Sequence, residues 1–265
     1  MCDTITSMDH FTLHFQPVVQ ADRAVIAAEA LLRFRHPQQG ILGPASFSAQ
    51  LDAPESARFI GRWVLDRALR TLQSWIDNEN TIRLAINISP THLLDPCFVS
   101  DLEHAIDTHG RNVTSFLDLE LTESAPIQDF SAARSVCESC NSLGFRLSLD
   151  DFGTGFSTLS WLQQVPVQTI KIDRSFVTNL PTDRTSRSIV QGALITASQM
   201  GLFSIAEGVE TEEQCEILCD MGCDALQGYL FSRPMAEQDF RFWLGSGQRL
   251  LSSTKETTST PQICH

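Results

Sequence analysis

Residues 169–206 read TIKIDRSFVTNLPTDRTSRSIVQGALITASQMGLFSIA, in which two short apolar runs flank a longer segment. The runs Thr169–Ile172 and Phe203–Ala206 are short and nearly continuous in hydrophobicity, as strands covered on both faces are. The segment Ser186–Met200 between them fits a helix. A strand, a helix and a second strand in this order predict the repeating unit of an α/β sheet.

The same alternation extends along the whole chain. Six further apolar runs predict strands: Thr12–Val18, Ala24–Leu32, Ile82–Ile88, Phe116–Leu121, Phe145–Leu149 and Ala225–Leu230. Helices are predicted over Ser56–Ile76, Val99–His109, Ser131–Leu143, Glu212–Met221 and Glu237–Leu244. Eight strands alternating with helices in 265 residues, with no linker to divide them, predict one TIM-like (β/α)₈ barrel rather than two small domains.

The composition changes after Gly245 to Ser, Thr, Gly and Gln. We therefore predict one folded domain over residues 1–245 and a flexible tail over Ser246–His265, because such a composition has no apolar face to pack.

The formal net charge of −13 argues against long nucleic acid and anionic membranes as partners, since proteins that bind them usually carry a basic surface. No apolar run is long enough to span a bilayer and no secretory signal is visible, so we expect a cytoplasmic protein. The 8 cysteines, including Cys137 and Cys140 and the helically spaced Cys215, Cys219 and Cys223, are then expected to be reduced thiols.

Polar residues stand where the predicted strands end. They are Glu29, Asn87, Glu120, Asp150, Asp151, Lys171, Glu207 and Gln227. In a (β/α)₈ barrel the carboxyl ends of the strands meet on the face that carries the chemistry, so these side chains should meet in space. Any one of them could be a helix cap or a solvated side chain. So many unpaired carboxylates on one rim, however, would repel each other unless a cation bound there.

Carboxylate and amide oxygens favour Mg²⁺ or Mn²⁺. Glu29, Asn87, Glu120, Asp150 and Asp151 could hold two such ions, an arrangement suited to phosphodiester hydrolysis. Lys171 would add positive charge near the developing phosphorane. Glu207 could either accept a proton from the attacking water or complete the metal shell.

Several short motifs together resemble the EAL family of cyclic di-GMP phosphodiesterases. In order they are Glu29-Ala-Leu-Leu-Arg33, Asn87-Ile-Ser89, Glu120-Leu-Thr-Glu-Ser124, Asp150-Asp-Phe-Gly-Thr-Gly155, Lys171-Ile-Asp173, Ala206-Glu-Gly-Val-Glu-Thr211 and Gln227-Gly-Tyr229. The resemblance runs from about Phe15 to about Phe240. It implies hydrolysis of cyclic di-GMP to pGpG, and a barrel in which one strand is antiparallel.

The resemblance also implies roles for individual residues. Glu29, Asn87, Glu120, Asp150 and Asp151 match metal ligands, and Lys171, Glu207, Gln227 and Glu29 match the catalytic set. Substrate or loop contacts are implied for Gln16, Leu31, Arg33, Glu123, Asp173 and Glu210, with Arg33 on a phosphate and Glu123 anchoring the loop after the paired aspartates. Family members commonly form homodimers through helices that correspond here to about Ser157–Gln164 and Ser186–Met200.

Two segments depart from the family pattern. Residues 50–58 read QLDAPESAR. The family usually has an Ala-Glu pair and a Gly-Leu-Ile run in this segment, which lies near the guanine site. Thr158 stands where serine is usual.

Two alternatives to the phosphodiesterase remain. One is a non-catalytic cyclic di-GMP receptor that acts through a protein partner; such members typically lack metal ligands or the lysine. The other is a barrel acting on glycerophosphodiesters, whose chemistry often uses a His pair, whereas His14 has no second His at suitable spacing.

Overall fold

The computed structural model describes residues 8–51, 53–122, 130–154 and 158–245. Their strands are β1 (Phe11–Val19), β2 (Val25–His36), β3 (Gly40–Leu42), β4 (Arg83–Ile88), β5 (Leu117–Thr122), β6 (Arg146–Phe152), β7 (Thr169–Ile172), β8 (Phe203–Ala206), β9 (Ala225–Gln227) and β10 (Met235–Ala236). Each of the eight predicted strands overlaps one of them. Glu123 and the predicted tail Ser246–His265 lie outside the described residues, and the statements about them stay predictions.

The strands close into a barrel in the order β1-β9-β8-β7-β6-β5-β4-β2, and β2 pairs again with β1. Neighbours from β2 round to β9 are parallel, whereas β1 is antiparallel to both β2 and β9. The predicted TIM-like barrel is therefore confirmed, including its antiparallel strand. The short strands β3 and β10 extend the sheet and were too brief for any sequence periodicity to indicate.

The predicted strand Ala225–Leu230 is too long at its carboxyl end, because β9 ends at Gln227. Gly228 follows and packs directly on the backbone of Val209, where there is no room for a side chain. The amide of Leu230 then donates to the carbonyl of Val209 at 3.0 Å, which turns the chain away from the barrel. A glycine at a close backbone approach ends the strand.

The helices of the described residues are α1 (Ser48–Leu51), α2 (Pro54–Asp77), α3 (Pro90–Leu93), α4 (Phe98–His109), α5 (Arg111–Thr114), α6 (Phe130–Leu143), α7 (Thr158–Gln164), α8 (Arg174–Thr178), α9 (Arg184–Met200), α10 (Glu212–Asp220) and α11 (Glu237–Gly245). Six of these match the predicted helices. Their starts have local causes: Thr211 and Gln214 form a capping box at α10, and Asp183 accepts hydrogen bonds from two amides at the start of α9. Among the described residues, none of the helices is both long enough and apolar enough to cross a membrane.

The helices cover the outside of the barrel with apolar side chains. Trp75 on α2 is fully buried, stacks on Phe240 of α11 at 5.2 Å between ring centroids, and meets the edge of Phe15 at 5.4 Å. Cys137 and Cys140 on α6 are also fully buried, and burial raises the pKa of each thiol to about 12. These cysteines are free thiols that pack as small apolar side chains, as predicted.

Candidate active site

The carboxyl ends of the parallel strands meet at one mouth of the barrel. Asn87 on β4 lies in register with Glu120 on β5, and Thr122 on β5 lies in register with Asp150 on β6. Paired residues on parallel strands direct their side chains to the same face of the sheet. Asn87 Nδ2 donates a hydrogen bond to Glu29 Oε1 at 2.8 Å, which joins β4 to β2 across the mouth.

Lys171 stands at the centre of this mouth, and its side chain is only 1% exposed. Its Nζ lies 2.6 Å from Glu207 Oε1 and 3.0 Å from Glu120 Oε2. It lies 3.4 Å from both Glu29 Oε2 and Asp150 Oδ1. Burial opposes the charge, but these four carboxylates outweigh it and raise the pKa of Lys171 well above its usual value. The lysine is therefore a permanent cation inside a ring of acids.

The paired aspartates depend on an irregularity in β6. The pairing of β6 with β7 shifts register between Leu149 and Phe152, and Asp151 has a left-handed φ of 56°. Adjacent residues of a regular strand point to opposite faces, so this bulge allows both carboxylates to reach the mouth. Carboxylate oxygens of Asp150, Asp151 and Glu207 lie within 4.8 Å of one another.

Two glutamines support Glu29 from the antiparallel side of the barrel. Gln227 Nε2 donates to Glu29 Oε2 at 2.7 Å and lies 3.3 Å from Gln16 Oε1. Gln16 is on β1 in register with Glu29, and its Nε2 donates to the carbonyl of Ser232 at 3.1 Å. Gln227 Oε1 is buried and accepts no hydrogen bond from any described residue, so it is free to accept one from a ligand or water.

The carboxyl groups resist ionisation together in this setting. Burial raises the pKa of Glu120 well above its usual value and also raises that of Asp150. Burial and neighbouring acids raise the pKa of Asp151 to about 6, and burial raises that of Glu207 to about 8. Burial also opposes the charge of Glu29, but the lysine and hydrogen bonds from side-chain amides outweigh it and lower its pKa. One lysine is thus not enough to keep five acids ionised.

The donor set fits a hard divalent cation. Asp150, Asp151 and Glu207 offer oxygens close enough to share an ion, and Glu29, Asn87 and Glu120 lie in the same mouth. All of these are oxygen donors, which Mg²⁺ and Mn²⁺ prefer. A bound divalent ion would take the place of the protons that these carboxyl groups otherwise retain because of their raised pKa values.

The family model described as EAL domain matches residues 3–234. The chain belongs to the EAL domain family. The family predicted from the motifs is thereby confirmed.

Relatives of this EAL domain are longer proteins. The cyclic di-GMP phosphodiesterase NbdA of Pseudomonas aeruginosa is 38% identical over 229 residues, which make up 86% of this chain and 29% of NbdA. The bifunctional diguanylate cyclase/cyclic di-GMP phosphodiesterase MucR of the same organism is 38% identical over 229 residues, 85% of this chain and 33% of MucR. The chain thus spans about a third of the length of these curated relatives.

Solved structures share the architecture. The PaMucR phosphodiesterase in complex with c-di-GMP has a TM-score of 0.83 at 36% identity, covering 88% of this chain and 94% of that chain. The EAL enzyme Bd1971 in its cAMP- and cyclic-di-GMP-bound form has a TM-score of 0.82 at 34% identity, covering 87% of this chain and 64% of that chain.

This EAL domain brings most of its sequence-predicted site residues together. The mouth contains Gln16, Glu29, Asn87, Glu120, Asp150, Asp151, Lys171, Glu207 and Gln227. Asp173 lies beside it, since its charge contributes to the raised pKa of Asp151, although its carboxylate also caps α8 by accepting from the amide of Ser175. The roles assigned to these residues stay predictions.

Two predicted contact residues lie at the edge of this cluster, one of them Arg33, on whose guanidinium the charge of Glu29 acts, and a third is not joined to it. Leu31 lines a cavity beside it, and Arg33 is partly buried on β2, where its Nη1 donates to the carbonyl of Leu32 at 2.9 Å. Among the contacts of the described residues, none joins Glu210 to the mouth. Its side chain is exposed, and its amide donates to Gln214 Oε1 at 2.7 Å in the cap of α10.

A cavity of about 720 Å³ opens directly beside the acidic mouth. Glu29, Asn87, Asp150 and Asp151 form its polar end. Its walls come from β2, α2 and α3 and are mostly apolar: Leu31, Leu32, Leu51, Ala57, Ile60, Gly61, Val64, Ser89, Pro90 and Thr91 are among them. Sequence reasoning missed the lining residues Ile60, Gly61, Val64, Pro90 and Thr91, because nothing in their chemistry distinguishes them from ordinary helix packing.

Proposed function

We propose that this EAL domain is a hydrolase that opens one phosphodiester bond of cyclic di-GMP and releases linear pGpG. The observation that carries the proposal is the barrel mouth, where five carboxyl groups and Asn87 surround the buried Lys171 beside an apolar cavity. A cyclic dinucleotide needs positive charge near its phosphate and an apolar surface for its base. The mouth and the cavity beside it offer these two features next to each other. The names of NbdA and MucR support the same substrate.

The proposed cofactor is a pair of Mg²⁺ or Mn²⁺ ions held by Glu29, Asn87, Glu120, Asp150 and Asp151. The side-chain nitrogen of Asn87 is already used by Glu29, which leaves its oxygen for an ion. Bound in such a site, two divalent ions supply an activated water and stabilise the leaving oxygen.

Lys171 is proposed to stabilise developing negative charge, and Glu207 to accept a proton or to bind a metal ion. Lys171 keeps its charge at the centre of the mouth, where it stabilises negative charge that develops on the phosphoryl oxygens. Its 2.6 Å contact also orients the Glu207 carboxylate. Glu207 either accepts the proton of the attacking water or completes the ligand set, and its raised pKa of about 8 makes its carboxylate a stronger base than that of an ordinary glutamate.

The remaining assigned residues hold the substrate or the water. Gln227 Oε1 is a buried acceptor that no described residue satisfies, so it is suited to orient a water. Gln16, Leu31 and Arg33 are proposed to contact the dinucleotide, with the Arg33 guanidinium on a phosphate.

The test is to incubate the purified chain with cyclic di-GMP and follow pGpG by chromatography with each ion, alongside calorimetric binding. We expect turnover with Mg²⁺ or Mn²⁺ and none in excess EDTA. Ca²⁺ should permit binding without turnover, because it holds its ligands at about 2.3–2.6 Å instead of about 2.0–2.1 Å and polarises water less. Binding without pGpG in any ion would instead establish the receptor alternative, and full turnover in EDTA would refute the metal site.

We also propose a homodimer in which α7 and α9 meet their copies. Ile189 and Met200 are exposed on α9 and, eleven residues apart, lie within about 20° of each other around the helix. An exposed apolar pair on one face is suited to a partner helix. Sedimentation of Ile189→Glu would test it: a dimer that persists unchanged would place the interface elsewhere.

A further inference from the structure

Helix α2 approaches α3 at one point, where Gly61 faces His92. Gly61 lies inside α2, where glycine is less favourable than alanine, so its presence calls for a packing reason. A Cβ at this position would overlap Nδ1, Cε1 and Cγ of the His92 ring. The nearest of these atoms, Nδ1, would lie 2.1 Å from the Cβ, so one of the two groups would have to move by more than about 1 Å to restore an ordinary contact of 3.4 Å or longer.

The His92 ring cannot easily give way. It is 1% exposed and meets the edge of Phe98 at 4.8 Å between centroids. Its Nε2 lies 3.6 Å from Asp101 Oδ2, and neither ring nitrogen makes a hydrogen bond with a described residue. Packing therefore holds the ring in place, and the ring acts as a rigid spacer between α2 and α3.

Hydrogen bonds hold the elements on both sides of the ring in place. The amide of His92 donates to Ser89 Oγ at 3.2 Å, which anchors α3 two residues after Asn87 on β4. On the other side, Asp101 on α4 accepts hydrogen bonds from Arg58 Nε and Nη2 at 2.9 and 3.0 Å. Since Arg58 belongs to α2, this bidentate pair ties α2 to α4, which packs beside the ring.

Gly61 on α2 lines the cavity beside the acidic mouth, as do Ser89, Pro90 and Thr91 at the start of α3, so that α2 and α3 each form a wall of it. A planar base between two walls gains full dispersion attraction only when both are about 3.5–4.0 Å away, and a gap of 0.5–1 Å forfeits a quarter to a half of it. We propose that the contact between Gly61 and His92 sets the separation of these walls, and that His92 is thereby a positioning residue for the substrate base.

This inference rests on the proposed function for its substrate. Gly61→Ala should widen or skew the cavity and raise the KM for cyclic di-GMP about tenfold or more, while kcat changes much less. Bis(p-nitrophenyl) phosphate reaches the metal centre without filling the cavity. The factor by which Gly61→Ala lowers kcat/KM should therefore be about ten times smaller for this compound than for cyclic di-GMP.

Two further variants separate positioning from general damage. Gly192 is an exposed glycine within α9, and no atom of the described residues lies within 4 Å of the place where its Cβ would be. Gly192→Ala is therefore the matched control and should leave the KM unchanged. Gly61→Ala/His92→Ala removes the ring that the methyl group would strike, so its KM should return toward the wild-type value and below that of either single variant. Such non-additivity is expected of residues in contact.

The outcomes are distinguishable. A folded Gly61→Ala variant with an unchanged KM, or a double variant no better than the singles, overturns the inference. If Gly61→Ala does not fold, the KM of the double variant is compared with that of His92→Ala instead, and the double variant should have the lower KM. If the wild-type protein binds cyclic di-GMP without hydrolysing it, the proposed function fails, and the dissociation constants of the same variants in Ca²⁺ still test the wall contact.

Discussion

Replacing Lys171 by methionine would remove the cation from the centre of the acidic mouth while keeping a side chain of similar length. The ammonium contacts four carboxylates at 2.6 to 3.4 Å. A pair of unit charges about 4 Å apart is worth roughly 4 kcal/mol at an effective dielectric constant of 20, before the cost of desolvation is subtracted. Removing one partner from a buried ion pair typically costs about 3–5 kcal/mol.

We expect the lower end of that range for Lys171→Met without metal. The carboxyl groups already have raised pKa values and would take up protons when the lysine is lost, which limits the repulsion. A loss of about 3 kcal/mol corresponds to a fall in Tm of roughly 6–12 °C for a domain of this size. Lys171 is not a metal ligand, so affinity for Mn²⁺ should hold or increase, and the ion should restore part of the lost stability.

The assay combines three measurements on one preparation: thermal unfolding in EDTA and in Mn²⁺, calorimetric titration with Mn²⁺, and single-turnover formation of pGpG. The rate should fall about 10²–10³-fold, as it does when one donor to a developing oxyanion is lost. Lys255→Met is the matched control, since Lys171 and Lys255 are the two lysines of the chain, and it should change none of the three. Falling metal affinity with an unchanged rate would refute the role given to Lys171.

Other perturbations test the rest of the site. Glu29→Ala should abolish pGpG formation with an unchanged circular dichroism spectrum, because it removes a proposed ligand from the rim; normal activity would remove Glu29 from the metal site. Burial raises the pKa of Asp151 to about 6 and that of Glu207 to about 8, so the folded metal-free chain holds protons that the unfolded chain releases. Stability in EDTA should therefore fall as pH rises from about 5 to 8, while calorimetric Mn²⁺ affinity rises, and opposite trends would contradict these shifts. Glu123→Ala should impair both turnover and the proposed dimer, and unchanged kinetics together with unchanged sedimentation would end the case for loop coupling.

Much of the fold could be predicted because its signals are local. The strand Thr169–Ile172 and the helix Arg184–Met200 show their periods within a few residues, and caps such as Asp183 mark where elements begin. The acidic residues of the site were visible for a similar reason: oxygen donors recur at the ends of predicted strands, where a barrel must bring them together.

Only the tertiary structure decided how those parts meet. That Lys171 lies within 3.4 Å of four carboxylates depends on the register of strands from distant parts of the chain, and the turn of Asp151 into the mouth depends on a bulge that no periodicity encodes. The contact of Gly61 with His92 is similarly invisible, since a lone glycine in a helix and a lone histidine after a strand carry no pattern. Residue chemistry and local period are properties of the sequence, whereas the distances that turn these residues into a site arise from the closure of the barrel and the packing of helices upon it.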